Sequence, residues 1–318
     1  HWDQIKQVMN NTPFNYREDH LSDLLDNPQL HVNIEAITEI SRTASTEYKL
    51  LQMLAKIEAD WKEKKFELLS WKNTDILIFA GANMEEIQML LDDNVLRVQT
   101  IRSDPGVKFI EPHAQNWEDL LTFMQETCEI WVKVQQSFIY LVPVFNSEDI
   151  RTHLMQASTE FKKIQNVWED LMSLVSSNPS ATAIKQIPDL LPKLKDSLKT
   201  MDHILKELDD YLDMKRTKFS RFYFLSNEEM LSILSETKDP QLVQPHLKKC
   251  FEGINELVFT VENDITGMKS EMGEVVDFET KIVPKNYKSA VEEWLVKIEE
   301  QMRISLKAKI EEALMDLS

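Results

Sequence analysis

Residue types that do chemistry are present in this sequence, but not at the spacings that chemistry needs. A phosphate-binding loop requires two glycines separated by four residues, then Lys and Ser or Thr, so that backbone amides can cradle the phosphates. The residues after the five glycines are Ala82, Val107, Ile254, Met268 and Glu274. No Gly-Lys pair exists, and such a loop is excluded. The same glycines leave no room for a G-x-G-x-x-G dinucleotide turn or a G-x-S-x-G nucleophile elbow. His1, His20, His31, His113, His153, His203 and His246 never stand three or four apart, and Cys128 and Cys250 are far apart. Zinc sites built on H-x3-H or C-x2-C spacing are therefore absent. Acidic pairs such as Asp92-Asp93, Asp209-Asp210 and Glu299-Glu300 point about 100° apart on a helix and meet water rather than a shared proton. Nothing in these patterns indicates an enzyme, and no metal or cofactor site is expected.

Charge narrows the partners. Asp and Glu number 54 against 36 Lys and Arg, a formal net charge of −18. Such a surface repels polyanions, so nucleic acid, anionic membranes and acidic tubulin tails are poor direct partners. The apolar run Ile76-Leu77-Ile78-Phe79-Ala80 is a buried strand by its length, well short of the ~20 residues of a membrane span. The two cysteines suit buried, reduced thiols, with a disulfide as the alternative. The chain starts at His1 without a basic-then-apolar leader, as expected of a piece of a longer polypeptide.

The elements that position these side chains are mainly helical. Ile34, Ile37, Ile40, Ala44, Tyr48, Leu51, Leu54, Ile57 and Trp61 form one stripe of a long helix expected over 29–71. Lys62, Lys64 and Lys65 belong to its solvated face. A short strand follows near 75–80, then a helix carrying Met84 to Ile101 and a turn at Ser103-Asp104-Pro105-Gly106. Pro112 opens another long helix whose face carries Trp117 to Leu141, and Pro143 disturbs or ends it. Helices are expected around 161–175, 190–212, 227–235 (with Ser226 as N-cap), 241–254 and 287–317. Stretches 256–261 and 274–278 alternate like strands, with Gly267 and Gly273 between them, and predict a small β-hairpin near 256–278. All seven tryptophans sit on or near apolar stripes, as core packing requires. The fold class is mainly α, with 1–146 and 147–318 as the two halves.

One stretch is more specific. It runs Tyr211-Leu212-Asp213-Met214-Lys215-Arg216-Thr217-Lys218-Phe219-Ser220-Arg221-Phe222-Tyr223-Phe224-Leu225-Ser226, and on through Lys238-Asp239-Pro240 to Lys248-Lys249-Cys250-Phe251-Glu252-Gly253-Ile254. Phe219, Phe222, Tyr223 and Phe224 are too many aromatics for a free loop, so most are expected to be buried. Lys215, Arg216, Lys218 and Arg221 sit at a helix end, where cations meet the macrodipole favourably. They form either a well-packed terminus or a patch that docks on another domain of the same polypeptide.

This string resembles the linker signature of dynein heavy chains, a YL-x-x-KR helix end leading into a PRFYFLS turn and a KKCFEGI segment. Trp131-Val132-Lys133-Val134-Gln135, Met268-Lys269-Ser270-Glu271 and Val291-Glu292-x-Trp294-Leu295 resemble other family segments in the same order. Ser220 stands where the family usually has proline, and Phe138 where tryptophan is common. The Leu225-Ser226-Asn227 wording resembles the axonemal members.

The resemblance implies an elongated rod of helical bundles that arches over an AAA+ ring. It would bend and straighten as the ring binds and hydrolyses ATP, driving microtubule movement in the axoneme of cilia and flagella. ATP and Mg would belong to the ring of the parent chain, not to this segment. Partners would be that ring and, through the parent, the dynein tail with its intermediate and light chains. The microtubule would be reached indirectly, within the cytoskeleton of the cytoplasm and the cilium. The residues marked out for ring docking or structure are Lys215, Arg216, Phe219, Arg221, Phe222, Tyr223 and Phe224. Candidate hinges are Pro143, Asn146, Asn178, Pro179 and Ser220. Two rivals share the composition: a helical scaffold or tethering protein, and an enzyme with a dispersed active site.

Overall fold

The computed structural model describes residues 1–9, 18, 20, 22, 25, 28–235, 239–287 and 290–316; Lys238 and Leu317 of the expected elements lie outside them. Among the described residues the fold is mainly α, with two small antiparallel sheets. Two compact units form, one from 1–132 and 168–194, the other from 133–167 and 195–318.

In the first unit, α1 (Trp2–Val8) and α2 (Pro28–Val32) precede the long α3 (Ile34–Lys62). The apolar stripe of α3 is used unevenly. Leu50, Leu54, Ile57 and Trp61 are buried, whereas Ile34, Tyr48 and Leu51 stay exposed. The helix stops at Lys62 rather than at Trp71, because the next residues are claimed by tertiary pairing. Phe66 donates its N–H to the Pro179 carbonyl (2.8 Å), and Lys65 bridges Ser180. Of the lysine cluster only Lys62 lies on the helix, and Lys64 reaches Glu86 at 2.5 Å.

Strand β1 (Leu68–Ser70), which periodicity had absorbed into the helix, pairs with β2 (Leu77–Phe79) in the register Leu68↔Phe79 and Ser70↔Leu77. Phe66, Phe79 and Trp131 pack with ring centroids 4.9–6.5 Å apart, and the Trp168 indole donates to the Leu77 carbonyl at 3.0 Å. Those bonds and rings hold the small sheet against helices, which a two-stranded sheet needs to be stable. Helix α4 (Gly81–Ser103) follows, and the Asp104 carboxylate accepts from Gly106 N–H in the turn that leads to α5 (Glu111–Asn146). Pro143 does not end α5. The helix runs three residues past it, and the bond lost to Ile139 lies on the face toward Pro143, which is exposed to water.

The second unit begins on α5. Phe138 and Phe145 both stack on Phe161, at 5.6 and 5.0 Å, so the aromatic slot at Phe138 is filled and buried. Short α6 (Glu148–His153) leads to α7 (Met155–Ser177), and after a 3-10 turn the chain forms α8 (Leu190–Lys218). Helix α9 (Asn227–Ser235) opens on a reciprocal cap: Ser226 Oγ accepts from Glu229 N–H, and the Glu229 carboxylate accepts from Ser226 N–H. Instead of one helix over 241–254, a 3-10 turn precedes the shorter α10 (Gln244–Cys250).

The expected hairpin is a three-stranded sheet, β3 (Glu256–Phe259), β4 (Ile265–Lys269) and β5 (Val275–Ile282). The missed middle strand contains Gly267, where a Cβ would come 2.8 Å from the Val276 carbonyl oxygen. Glycine here marks close backbone approach rather than a turn. Both sheet edges are met by side chains. Gln244 exchanges two bonds with Leu257, while Ser305 and Gln301 accept from the N–H groups of Glu279 and Thr280. Ser305 and Gln301 belong to the last helix, α11 (Val291–Asp316), which starts four residues later than its periodicity suggested.

Trp61, Trp131, Trp168 and Trp294 are buried; Trp2 is exposed, and Trp71 and Trp117 are half-buried. Cys128 and Cys250 are both free and buried, and burial pushes their thiols up to about 12 and about 11. Both stay protonated near neutral pH, so neither is expected to react with a disulfide reagent at pH 8 until urea unfolds its unit; rapid native labelling would contradict this. Gly267→Ala is expected to destabilise the chain by about 1–3 kcal/mol through overpacking, read as a lowered urea midpoint.

Candidate functional site

Part of the string that carried the family resemblance meets where the end of α8 approaches the start of α11. A helix C-terminus attracts cations and an N-terminus attracts anions, and the sequence supplies Lys215, Arg216 and Lys218 at one and Glu292 and Glu293 at the other. Lys215 Nζ lies 2.6 Å from Glu292 Oε1, with side chains 7% and 0% exposed. Lys218, half in water, adds a second cation at 3.5 Å from the same oxygen and reaches Glu293 at 3.8 Å. Among the described residues Glu292 Oε2 has no hydrogen-bond partner. The Lys215 ammonium also sits 5.4 Å over the Tyr211 ring, one turn earlier on α8.

Two arginines tie the turn that follows. Arg216 donates to Asn227 Oδ1 (2.7 Å) and to Asp213 (3.0 Å), while Asn227 donates in turn to Asp209. The end of α8 is thus stitched to the start of α9. Arg221 donates to the Cys250 carbonyl (2.9 Å), lies 3.5 Å from Glu299 Oε1 and covers the Phe251 ring at 4.8 Å. It therefore joins the turn to α10 and α11. All four cations are spent inside their own unit.

The aromatics divide evenly, which corrects the expectation that most are buried. Phe219 and Phe222 are buried and meet edge-on at 5.1 Å, with Phe219 also 5.9 Å from Phe251. Tyr223 and Phe224, in the same 3-10 turn (Ser220–Phe224), are 64% and 67% exposed. A turn with three residues per revolution places neighbours on different faces, so two rings go in and two go out. Ser220 opens the turn, the first position, where proline fits because no N–H is needed.

Of the other marked residues, Pro143 and Asn146 lie exposed at the end of α5. Asn178 and Pro179 precede the 3-10 turn at 181–186, with the Pro179 carbonyl and Ala181 N–H bonded to the chain at Phe66 and Lys64. Glu292 was not singled out from the sequence as a site residue. The available signal was a carboxylate bordering the apolar residues Val291, Trp294 and Leu295, at a position that helix geometry places at the edge of a buried stripe.

Burial holds the Cys250 thiol protonated near neutral pH. One buried ion pair and two arginine brackets hold five chain segments together. Glu292→Ala leaves Lys215 buried without its counter-charge and is expected to cost about 3–5 kcal/mol in urea unfolding. The paired change Lys215→Met with Glu292→Leu is expected to recover most of that loss; a double variant as unstable as the single one would contradict the assignment.

Comparison with known proteins identifies the family. Residues 1–313 match the family described as dynein heavy chain, N-terminal region 2. Dynein axonemal heavy chain 3 of Homo sapiens is 39% identical over 311 residues, 98% of this chain and 8% of that protein. Dynein axonemal heavy chain 12 of Rattus norvegicus is 37% identical over 308 residues, 96% of this chain and 10% of the relative. Dynein axonemal heavy chain 1 of Mus musculus is 38% identical over 285 residues, 90% of this chain and 7% of the relative. The chain thus spans about a tenth or less of each of these relatives, and it belongs to the dynein heavy chain family, in its N-terminal region 2.

Proposed function

We propose that this chain is the mechanical linker of an axonemal dynein heavy chain, which bends and straightens over the AAA+ ring of the parent and converts nucleotide-driven changes into force along microtubules. The observation that carries this reading is the match of residues 1–313 to the family's N-terminal region, joined to 37–39% identity with axonemal heavy chains. Catalysis, with its ATP and Mg, belongs to the ring. The ring is the direct partner; the tail, its intermediate and light chains and the microtubule are reached through the parent, in the axoneme of a cilium or flagellum.

A linker needs stiffness, a bending place and a surface that docks reversibly. Stiffness is supported by long helices such as α3, α5 and α8 and by five glycines in 318 residues. Tyr223 and Phe224 supply the docking surface, because they are the marked aromatics left more than half exposed, although the Arg216 guanidinium lies 5.9 Å from the Tyr223 ring centre. Burying what they leave exposed is worth on the order of a few kcal/mol. That is the scale at which a nucleotide-linked difference in affinity can reverse an equilibrium. Among the candidate hinges, Asn178 and Pro179 adjoin the backbone bonds to Lys64 and Phe66, and Ser220 is walled by Phe219 and Phe222. The end of α5 at Pro143 and Asn146, where a helical bond is missing, is the best place to bend.

In the intact parent heavy chain, Tyr223→Ser with Phe224→Ser is expected to slow microtubule gliding several-fold while the urea midpoint of this segment moves little, since both rings are more than half exposed. Unchanged gliding at unchanged ATP turnover would show that these rings do not dock.

A further inference from the structure

Helix α3 is apolar on two faces, and its own unit uses one of them. Leu50, Leu54, Ile57 and Trp61 are buried on the first. The second carries Ile40, Ala44, Tyr48, Leu51, Ala55 and Ala59, at steps of three and four residues that keep them on one side for about 28 Å of helix. Tyr48 is 62% exposed and Leu51 38%; Ala55 and Ala59 are exposed, and Ile40 and Ala44 are half-buried. No charged residue interrupts this stripe. A helix with apolar surface on two sides belongs between two partners, and among the described residues only one is present.

The open face ends in a cleft of about 650 Å³, lined from α3 by Ala55 and Ala59 and from α5 by Trp117 and Leu120. Small alanines opposite an indole leave room for a large apolar side chain, as where an amphipathic helix lies in a groove. The direction of the chain points to the occupant. Helix α1 packs on α3, and the His1 imidazole lies 2.7 Å from the Glu47 carboxylate, next to Tyr48 and one turn from Leu51. Polypeptide leading into His1 is therefore delivered to the edge of the open face. Successive helices joined by short connections pack as neighbours. This chain spans 8% of axonemal heavy chain 3, so a parent of that kind has ample chain to supply one.

We infer that the open face of α3 is the seat of a helix of the parent chain that immediately precedes His1, lying along 44–59 with one large side chain in the cleft beside Trp117. This rests on the linker reading above, which sets the chain within a longer heavy chain. The covering helix is apolar along its contact stripe and uncharged at its centre, because a charge placed on Leu51 would be buried without a partner. Its effect is mechanical. Load passes between this segment and the chain before it through packed side chains rather than through the single strand at His1.

The test puts a benzophenone amino acid in place of Tyr48 in the intact parent heavy chain, and in place of Leu96, 64% exposed on α4, as the comparison. After irradiation the cross-linked peptides are identified by mass spectrometry. The inference expects position 48 to join residues that precede His1, at a yield at least several-fold above position 96. Cross-links to the ring or to a second heavy chain, or none at all, overturn it. Should the substituted motor fail to assemble, hydroxyl-radical footprinting of the unsubstituted parent gives a second reading. Tyr48 is then expected to be modified at least several-fold less than Phe109, 72% exposed in the same unit, and equal modification overturns the inference. Neither readout depends on nucleotide, so a motor whose lever does not move would leave this result standing, and the reverse also holds.

Discussion

A carboxylate with no access to water must find its counter-charge inside the protein, and Glu292 finds it on Lys215 at 2.6 Å. Desolvating such a pair is expensive, and its attraction repays the cost only where geometry is good and other partners help. Helix polarity helps here, since the acid is at an N-terminus and the base at a C-terminus. Lys218 adds a second positive charge to the same oxygen. The pair therefore adds less to stability than to uniqueness: helices packed in another register would leave both charges stranded. The Arg216 and Arg221 brackets build outward from the same helix end to α9 and α10.

Much of this was legible in the residues. Local rules that depend on few neighbours held: Ser226 caps α9, Asp104 turns the chain before α5, and the stripes of α4 and α5 face their cores. What failed depends on distant partners. Periodicity carried α3 on to Trp71, because nothing local says that Phe66 will bond to Pro179. The middle strand β4 was hidden by Gly267, a breaker in most strands and here the residue that lets the Val276 carbonyl approach. At the site, the cations could be named but not their use. Glu292 is 77 residues away from Lys215, and only the fold decides that one exposed-looking acid is wholly buried.

The aromatic turn shows the same limit from the other side. Four aromatics in six residues imply burial, yet a 3-10 turn cannot hide consecutive side chains on one face. Phe219 and Phe222 anchor it to Phe251, and Tyr223 and Phe224 remain outside. A rigid base with two rings held out to water suits a contact made and broken many times, because little ordering is needed when it forms. In this view the buried charges hold the base still while the rings outside engage and release.

The central claim is that this segment moves relative to the ring as nucleotide turns over. The direct measurement places one fluorophore near His1 and another on the ring of the intact parent motor, and follows energy transfer on adding ATP, then ATP with vanadate. The account predicts a reversible change in transfer that tracks nucleotide state. An unchanged signal while the ring goes on hydrolysing ATP would make this segment a static strut and contradict the account.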